Sequence, residues 1–232
     1  MVTPKNIHFE LHFTVENFSD TNREQDVLAD FWKAAAPEAD SPYRLAVSDE
    51  MFYFYHITHM AKHLQDAECG IRPFLDLWVM NHRIPTNRKA REALLKKGHM
   101  LRFAQKAETL AEVWFSGGEP DPLSARLEAF ILQRNTEDYE ANFVALQQKQ
   151  QGGRLKFLLR RIFPPFARMC WYYPVLREKP WLLPFCAVRR WCRLIFTKDA
   201  RRALNTVKVT ATVSDENIHS VAGLMEQLDL NR

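Results

Sequence analysis

Histidines and carboxylates recur at two places in the sequence, at spacings that could carry chemistry. The first is His8, Glu10 and His12. In an alternating strand these residues share one face, while Ile7, Phe9, Leu11 and Phe13 share the other. A carboxylate held there suits a divalent cation that prefers oxygen, and flanking imidazoles suit a transition metal. The same pattern is also what the solvent face of an edge strand looks like. The second is His56, His59 and His63 in YHITHMAKH, where the i, i+3, i+7 spacing places all three on one side of a helix. His59 and His63, four apart, could share a metal ion. Lys62 between them is a poor neighbour for a cation, and no H-E-x-x-H is present. The alternatives are phosphate or substrate contact, and histidines that bond to backbone and acids at a helix interface.

Two further groups follow. Arg72 and Asp76 stand four apart at a helix start, in register for an ion pair; alternatively Arg72 offers its fork to a phosphate. From residue 154 to 202, thirteen lysines and arginines face only Glu178 and Asp199, interleaved with Trp171, Tyr172, Tyr173, Trp181 and Trp191. Such a region can stack bases and neutralise phosphates, or lie on an anionic surface. It can equally be a set of helices with aromatics inside and arginines in water.

Other chemistries are excluded by what the sequence lacks. With 7 glycines in 232 residues it has no G-x-G-x-x-G and no G-x-x-x-x-G-K-[ST]. Cys69, Cys170, Cys186 and Cys192 have no C-x-x-C spacing, and no serine, threonine or cysteine stands in a recognisable nucleophile setting. The N-terminus has no apolar run of signal-peptide length, and no stretch of about 18 apolar residues is present. Reduced cysteines in a cytoplasmic protein are the expectation. Hydrophobic residues at 47% and charged residues at 26% are ordinary globular composition, so a folded core is expected.

The elements that must position these groups are mostly helices. Residues 7–15 alternate as one strand. Helical spacing is expected over residues 26–36, followed by a polar loop containing Pro42. Ser48 caps a helix running to about Ala67 and ended by Cys69-Gly70. Pro73 opens the next, over residues 73–82. Further helices are expected over 86–97, 100–115, 122–133 and 137–150. Gly152-Gly153 is the strongest internal break. Beyond it lie a basic amphipathic helix over 154–163 and aromatic-rich pieces over 166–173 and 181–196, separated by Pro174, Pro180 and Pro184. A short strand over 207–213 and a last helix capped by Ser214 complete the chain. The fold class expected is α+β, mostly α. It comprises one N-terminal strand (residues 1–16), a helical bundle (17–151) on which it packs, and a basic helical C-terminal region (152–232).

Three runs together resemble a known family: NIHFELHF, FYFYHITHMAKHLQDAECGIRPFLDLWVM and RIFPPFARMCWYYPVLREKPWLLPFCAVRRWCR. They are similar to uncharacterised bacterial nucleotidyltransferase-family proteins of the DNA polymerase β-like superfamily. The resemblance implies transfer of a nucleoside monophosphate from NTP to an unknown acceptor, with magnesium or manganese held by acids. The family's motif is Gly-Ser with an Asp-x-Asp pair, and a third acid between apolar residues on a neighbouring strand. Phe9-Glu10-Leu11 fits that third position, so the resemblance implies Glu10 as a metal ligand and catalytic acid, with His12 as companion. His56, His59, His63, Arg72 and Asp76 are the candidates for substrate or phosphate contact. Neither Gly-Ser nor Asp-x-Asp occurs in the sequence. The expectation is therefore an N-terminally truncated member, inactive alone, whose exposed strand invites a protein partner. The alternatives are a nucleic-acid or anionic-surface binding module acting through residues 154–202, and a histidine-ligated metal protein.

Overall fold

The structure, a computed structural model, describes residues 25–133, 138–150, 152–196, 210 and 213–230. Residues 7–15, and with them His8, Glu10 and His12, lie outside the described residues. The chain divides into two compact units, residues 1–132 with 225–232, and residues 133–224. The described residues are mostly helical, with one two-stranded antiparallel sheet.

Among the described residues the first unit begins with two one-turn helices, Gln25–Leu28 (α1) and Phe31–Ala34 (α2). The single helix expected over 26–36 is thus broken: Ala29 and Asp30 form a turn, and the chain is extended by Ala35. The segment expected as a loop is a hairpin, Ala36–Glu38 (β1) against Ser41–Ala46 (β2), with Ala36 opposite Ala46 and Pro37 opposite Leu45. Arg44 clamps it, reaching Glu38 at 3.0 Å and Asp40 at 3.5 Å. Pro37 and Pro42 argue against a central strand, but an isolated pair has only edges and tolerates them.

Four long helices follow and carry the core: Asp49–Gln65 (α3), Arg72–Arg83 (α4), Arg88–Lys97 (α5) and Leu101–Ser116 (α6), with Pro122–Leu132 (α7) packed on α6. Phe54, Ile57, Met60, Leu64, Phe74 and Phe103 are fully buried. Each such side chain contributes about 1.5–3 kcal/mol relative to exposure. Ser48 and Asn87 cap α3 and α5 by accepting from the Met51 and Ala90 amides. Pro73 sits in the first turn of α4, where its missing N–H costs nothing.

α6 ends as its Gly117-Gly118 break predicts, on Gly117 in the left-handed conformation (φ 73°), whereas α3 and α5 take their left-handed residue from another type. α3 stops at Gln65, and the residue in the left-handed conformation is Ala67 (φ 56°), not Gly70. The Glu68 amide then donates to the His63 carbonyl at 2.7 Å. After α5 the left-handed residue is His99, and the Met100 amide donates to Leu95. Gly98 beside it serves packing instead: a Cβ there would stand 2.3 Å from the Phe54 ring.

A polar network ties three helices of this bundle together. Glu108 on α6 accepts from the Tyr53 hydroxyl of α3 and, at 2.7 Å, from Arg91 Nη2 of α5. The Arg91 guanidinium lies 3.5 Å from the centre of the Tyr53 ring, and its Nη1 donates to Thr86. Burial, and then the Glu108 charge, hold the Tyr53 phenol above its ordinary range, so it stays protonated and donates.

In the second unit the helices are Asp138–Gln150 (α8), Arg154–Ile162 (α9), Phe166–Tyr172 (α10) and Leu183–Phe196 (α11), with 3-10 turns at Pro174–Arg177 and Pro180–Leu182. Pro184 does not separate elements; it occupies the first turn of α11. Two small apolar cores form, one of Val144, Ala145, Phe157 and Val213, the other of Met169, Cys170, Leu176 and Cys186. The last helix, Asp215–Gln227 (α12), belongs to this unit through residue 224. Of the strand expected over 207–213, only Thr210 and Val213 are described, and Thr210 is helical.

Glu108→Ala should destabilise the protein by about 2–3 kcal/mol, somewhat less than a fully buried pair because Glu108 keeps partial solvent access. The double change Arg91→Met, Glu108→Leu should cost much less than the sum of the single changes. Chemical denaturation of the four-membered cycle measures this.

Candidate functional site

The three helix histidines do share one side of α3, as their spacing requires, but they do not converge on one point. His56 donates from Nε2 to the Pro73 carbonyl at 2.8 Å, tying α3 to the start of α4. Burial pushes its pKa below the ordinary histidine range, against the opposing pull of the Pro73 carbonyl and of Asp76. His56 is therefore a neutral imidazole at a helix interface.

His59 and His63 form a pair. Their Nε2 atoms are 3.1 Å apart and their rings meet edge to face, with centres 4.5 Å apart. Glu68 Oε2 faces Nδ1 of His63 at 3.8 Å. With the proton of His63 on Nδ1, towards that carboxylate, its Nε2 accepts from His59. Both rings are half-buried. They continue a row of rings along α3, because Phe52 lies 6.4 Å from Tyr55 and Tyr55 lies 5.7 Å from His59. Phe31 of α2 touches the row at Tyr55.

Glu68 and Tyr55 are the members that the sequence reading missed. Glu68 reaches His63 because the chain reverses at Ala67, and alanine gives no signal for a left-handed turn. The i, i+4 spacing of Tyr55 from His59 was available as a signal. Arg72 and Asp76 flank the first turn of α4, and both are exposed. No ion pair joins them among the described residues; Asp76 acts instead on His56. Cys69 is buried, with its thiol towards the Gly70 carbonyl.

The donor set decides what cation this face fits. Among the described residues no group of three or more histidine, cysteine, aspartate or glutamate side chains is placed to hold a metal. A magnesium site needs several oxygen donors, and the His59–His63 pair offers nitrogen. The described residues therefore do not fit magnesium. Glu10 and His12 lie outside them. No described helix is long and apolar enough to cross a membrane.

His56 gives a pH dependence with a definite sign. Neutral when folded and depressed in pKa, it contributes stability above the unfolded-state pKa of roughly 6.5, which is lost as pH falls below it and the unfolded chain takes up the proton. The thermal midpoint should fall more for the wild type than for His56→Gln between about pH 7.5 and about pH 5.5. Equal falls in a thermal melt series would show that His56 carries none of the effect.

The Phe9-Glu10-Leu11 segment, the histidine face and the start of α4 all fall within one stretch of the chain that matches a known family. The profile described as uncharacterised nucleotidyltransferase matches residues 1–116, half of the chain. No curated protein and no solved structure matches it. The chain belongs to the uncharacterised nucleotidyltransferase family.

Proposed function

We propose that this chain is the acceptor-side, helical portion of a nucleotidyltransferase of the DNA polymerase β-like superfamily. The overall reaction joins a nucleoside monophosphate from NTP to an acceptor. The observation that carries the reading is the family match through residue 116, which contains every histidine and arginine proposed for contact. His59 and His63 face the substrate, with Glu68 holding the His63 ring. Arg72, exposed at the start of α4, supplies a fork to a phosphate. Glu10 is the cation ligand contributed by this chain, with His12 beside it, and magnesium or manganese is the cation of the reaction. Because the sequence has no Asp-x-Asp pair, the triphosphate lacks its usual metal clamp, and the chain as given does not complete the transfer. A cytoplasmic location accords with NTP as substrate.

Nucleoside triphosphate with magnesium should raise the thermal midpoint of the wild type. His63→Ala and Arg72→Ala should each reduce that shift, and no pyrophosphate should be released. Absence of any shift sinks the binding role, and release of pyrophosphate sinks the claim of inactivity.

One observation favours a second reading, a transition-metal site. The 3.1 Å between the two Nε2 atoms is close to the roughly 3.3 Å expected of two imidazoles on a tetrahedral zinc ion. A carboxylate facing the His63 Nδ1, as Glu68 does, is what commonly orients a metal-bound imidazole. Zinc titration by calorimetry should then give one site, weak because only two protein ligands are in place, and His59→Ala should abolish it. A titration with no heat above dilution rejects this reading.

A further inference from the structure

The second unit wears much of its apolar surface outside. In α9, Leu155, Leu159 and Ile162 recur at i, i+4 and i+7 and form one stripe, and Leu155 is 72% exposed. Phe157, out of phase with them, is the side chain that enters the core with α8. In α11, Cys186 is buried while Phe185 is 70% exposed and Val188 is also exposed. Trp171 and Trp181 are exposed at 73% and 68%. The ends of α9 and α11 are joined: Trp191 Nε1 donates to the Ile162 carbonyl at 3.1 Å, and the Phe163 and Trp191 rings meet edge to face. Single exposed apolar residues are normal, but so many on short helices around two small cores mark a surface that is used.

The charges indicate the user. Lys156, Arg160, Arg168, Arg177, Lys179 and Arg189 are exposed on the same short helices and turns, and Glu178 is the one acid between residues 152 and 196. A second copy docking through the same face would set cation against cation. Nucleic acid would satisfy the cations and could stack on the indoles, but it offers nothing to aliphatic Leu155, Leu159, Ile162 and Val188. An anionic bilayer surface satisfies both sets. Its headgroups take the arginines and lysines, its acyl boundary takes the aliphatic side chains, and tryptophan sits between.

We propose that residues 154–193 form a peripheral membrane-docking surface that binds anionic phospholipid, with Leu155, Leu159, Ile162 and Phe185 inserted and Lys156, Arg160, Arg168 and Arg189 at the headgroups. The surface lies beyond the family-matched residues, so it stands whether or not the nucleotidyl-transfer reading does. It gives the chain a place of action at an interface without a spanning helix.

The test is flotation of the full chain with phosphatidylcholine vesicles, with and without phosphatidylglycerol, at low and at physiological salt. Binding to the anionic vesicles alone is expected, with a blue shift of tryptophan emission. The double variant Leu155→Ser, Phe185→Ser should bind about tenfold more weakly, and Arg168→Gln, Arg189→Gln likewise, with circular dichroism unchanged. No binding to anionic vesicles at low salt overturns the proposal. So does binding that survives the serine variant, because attraction would then be electrostatic only. A single-stranded oligonucleotide bound more tightly than the vesicles, and equally by the serine variant, would reassign the surface to nucleic acid. Self-association at micromolar concentration that the serine variant abolishes would reassign it to a second copy.

Discussion

A carboxylate placed among packed helices must be paired, or its charge would be expelled to water and the packing with it. Glu108 meets that demand from two directions at once, from the Tyr53 hydroxyl on α3 and the Arg91 guanidinium on α5. Three helices are thereby pinned at one level, and the rotation of α3 about its own axis follows. With Tyr53 turned to Glu108, Phe54 beside it presses on Gly98, where no Cβ could fit. The remaining face of α3 then carries Phe52, Tyr55, His59 and His63 as a row of rings. Apolar packing alone would tolerate small rotations of this helix; the polar network does not, since each partner lost leaves a group unsatisfied. The position of the histidine pair is thus tied to a bond made from another side of the same helix.

That dependence explains what could be read beforehand and what could not. The long helices were legible because apolar residues recur at helical spacing over ten or more residues, and Ser48 and Pro73 mark their starts. The shared side of His56, His59 and His63 follows from the same periodicity. The end of α6 was legible in Gly117, which takes the left-handed conformation there, but the left-handed turns at Ala67, His99 and Asp229 were not, because no glycine signals them. All three close with the same bond from the residue that follows to a carbonyl five residues back, a feature of geometry rather than of residue type. The hairpin at 36–46 was hidden by its two prolines and by its lack of a buried face. Which histidine takes which partner was hidden too, since Pro73 and Glu68 reach α3 only through the turn that follows it.

The same turn divides the chemistry of the histidine row. His56 spends its proton on a backbone carbonyl and, held neutral by burial, is a structural joint. His59 and His63 instead direct their Nε2 atoms at each other, so that one imidazole donates to the other. Three residues of one type on one helix face therefore have two physical roles, and the distinction rests on whether the polar tip meets main chain or another imidazole.

Tryptophan shows a comparable division between the two units. In the first, Trp32 is exposed, but Trp78 donates to Ser116 at 2.7 Å and Trp114 to Glu128 at 2.6 Å, so these two indole N–H groups are fixed to neighbouring helices. In the second, Trp171 and Trp181 present most of their surface to solvent, and Trp191 holds the end of α9. An indole costs stability when its apolar body is left in water, and the cost is recovered only where something covers that body. The high aromatic content is therefore two different statements. In the residues matched by the family it builds a fixed bundle beneath a histidine face. Beyond them it leaves Trp171 and Trp181 mostly exposed around two small cores.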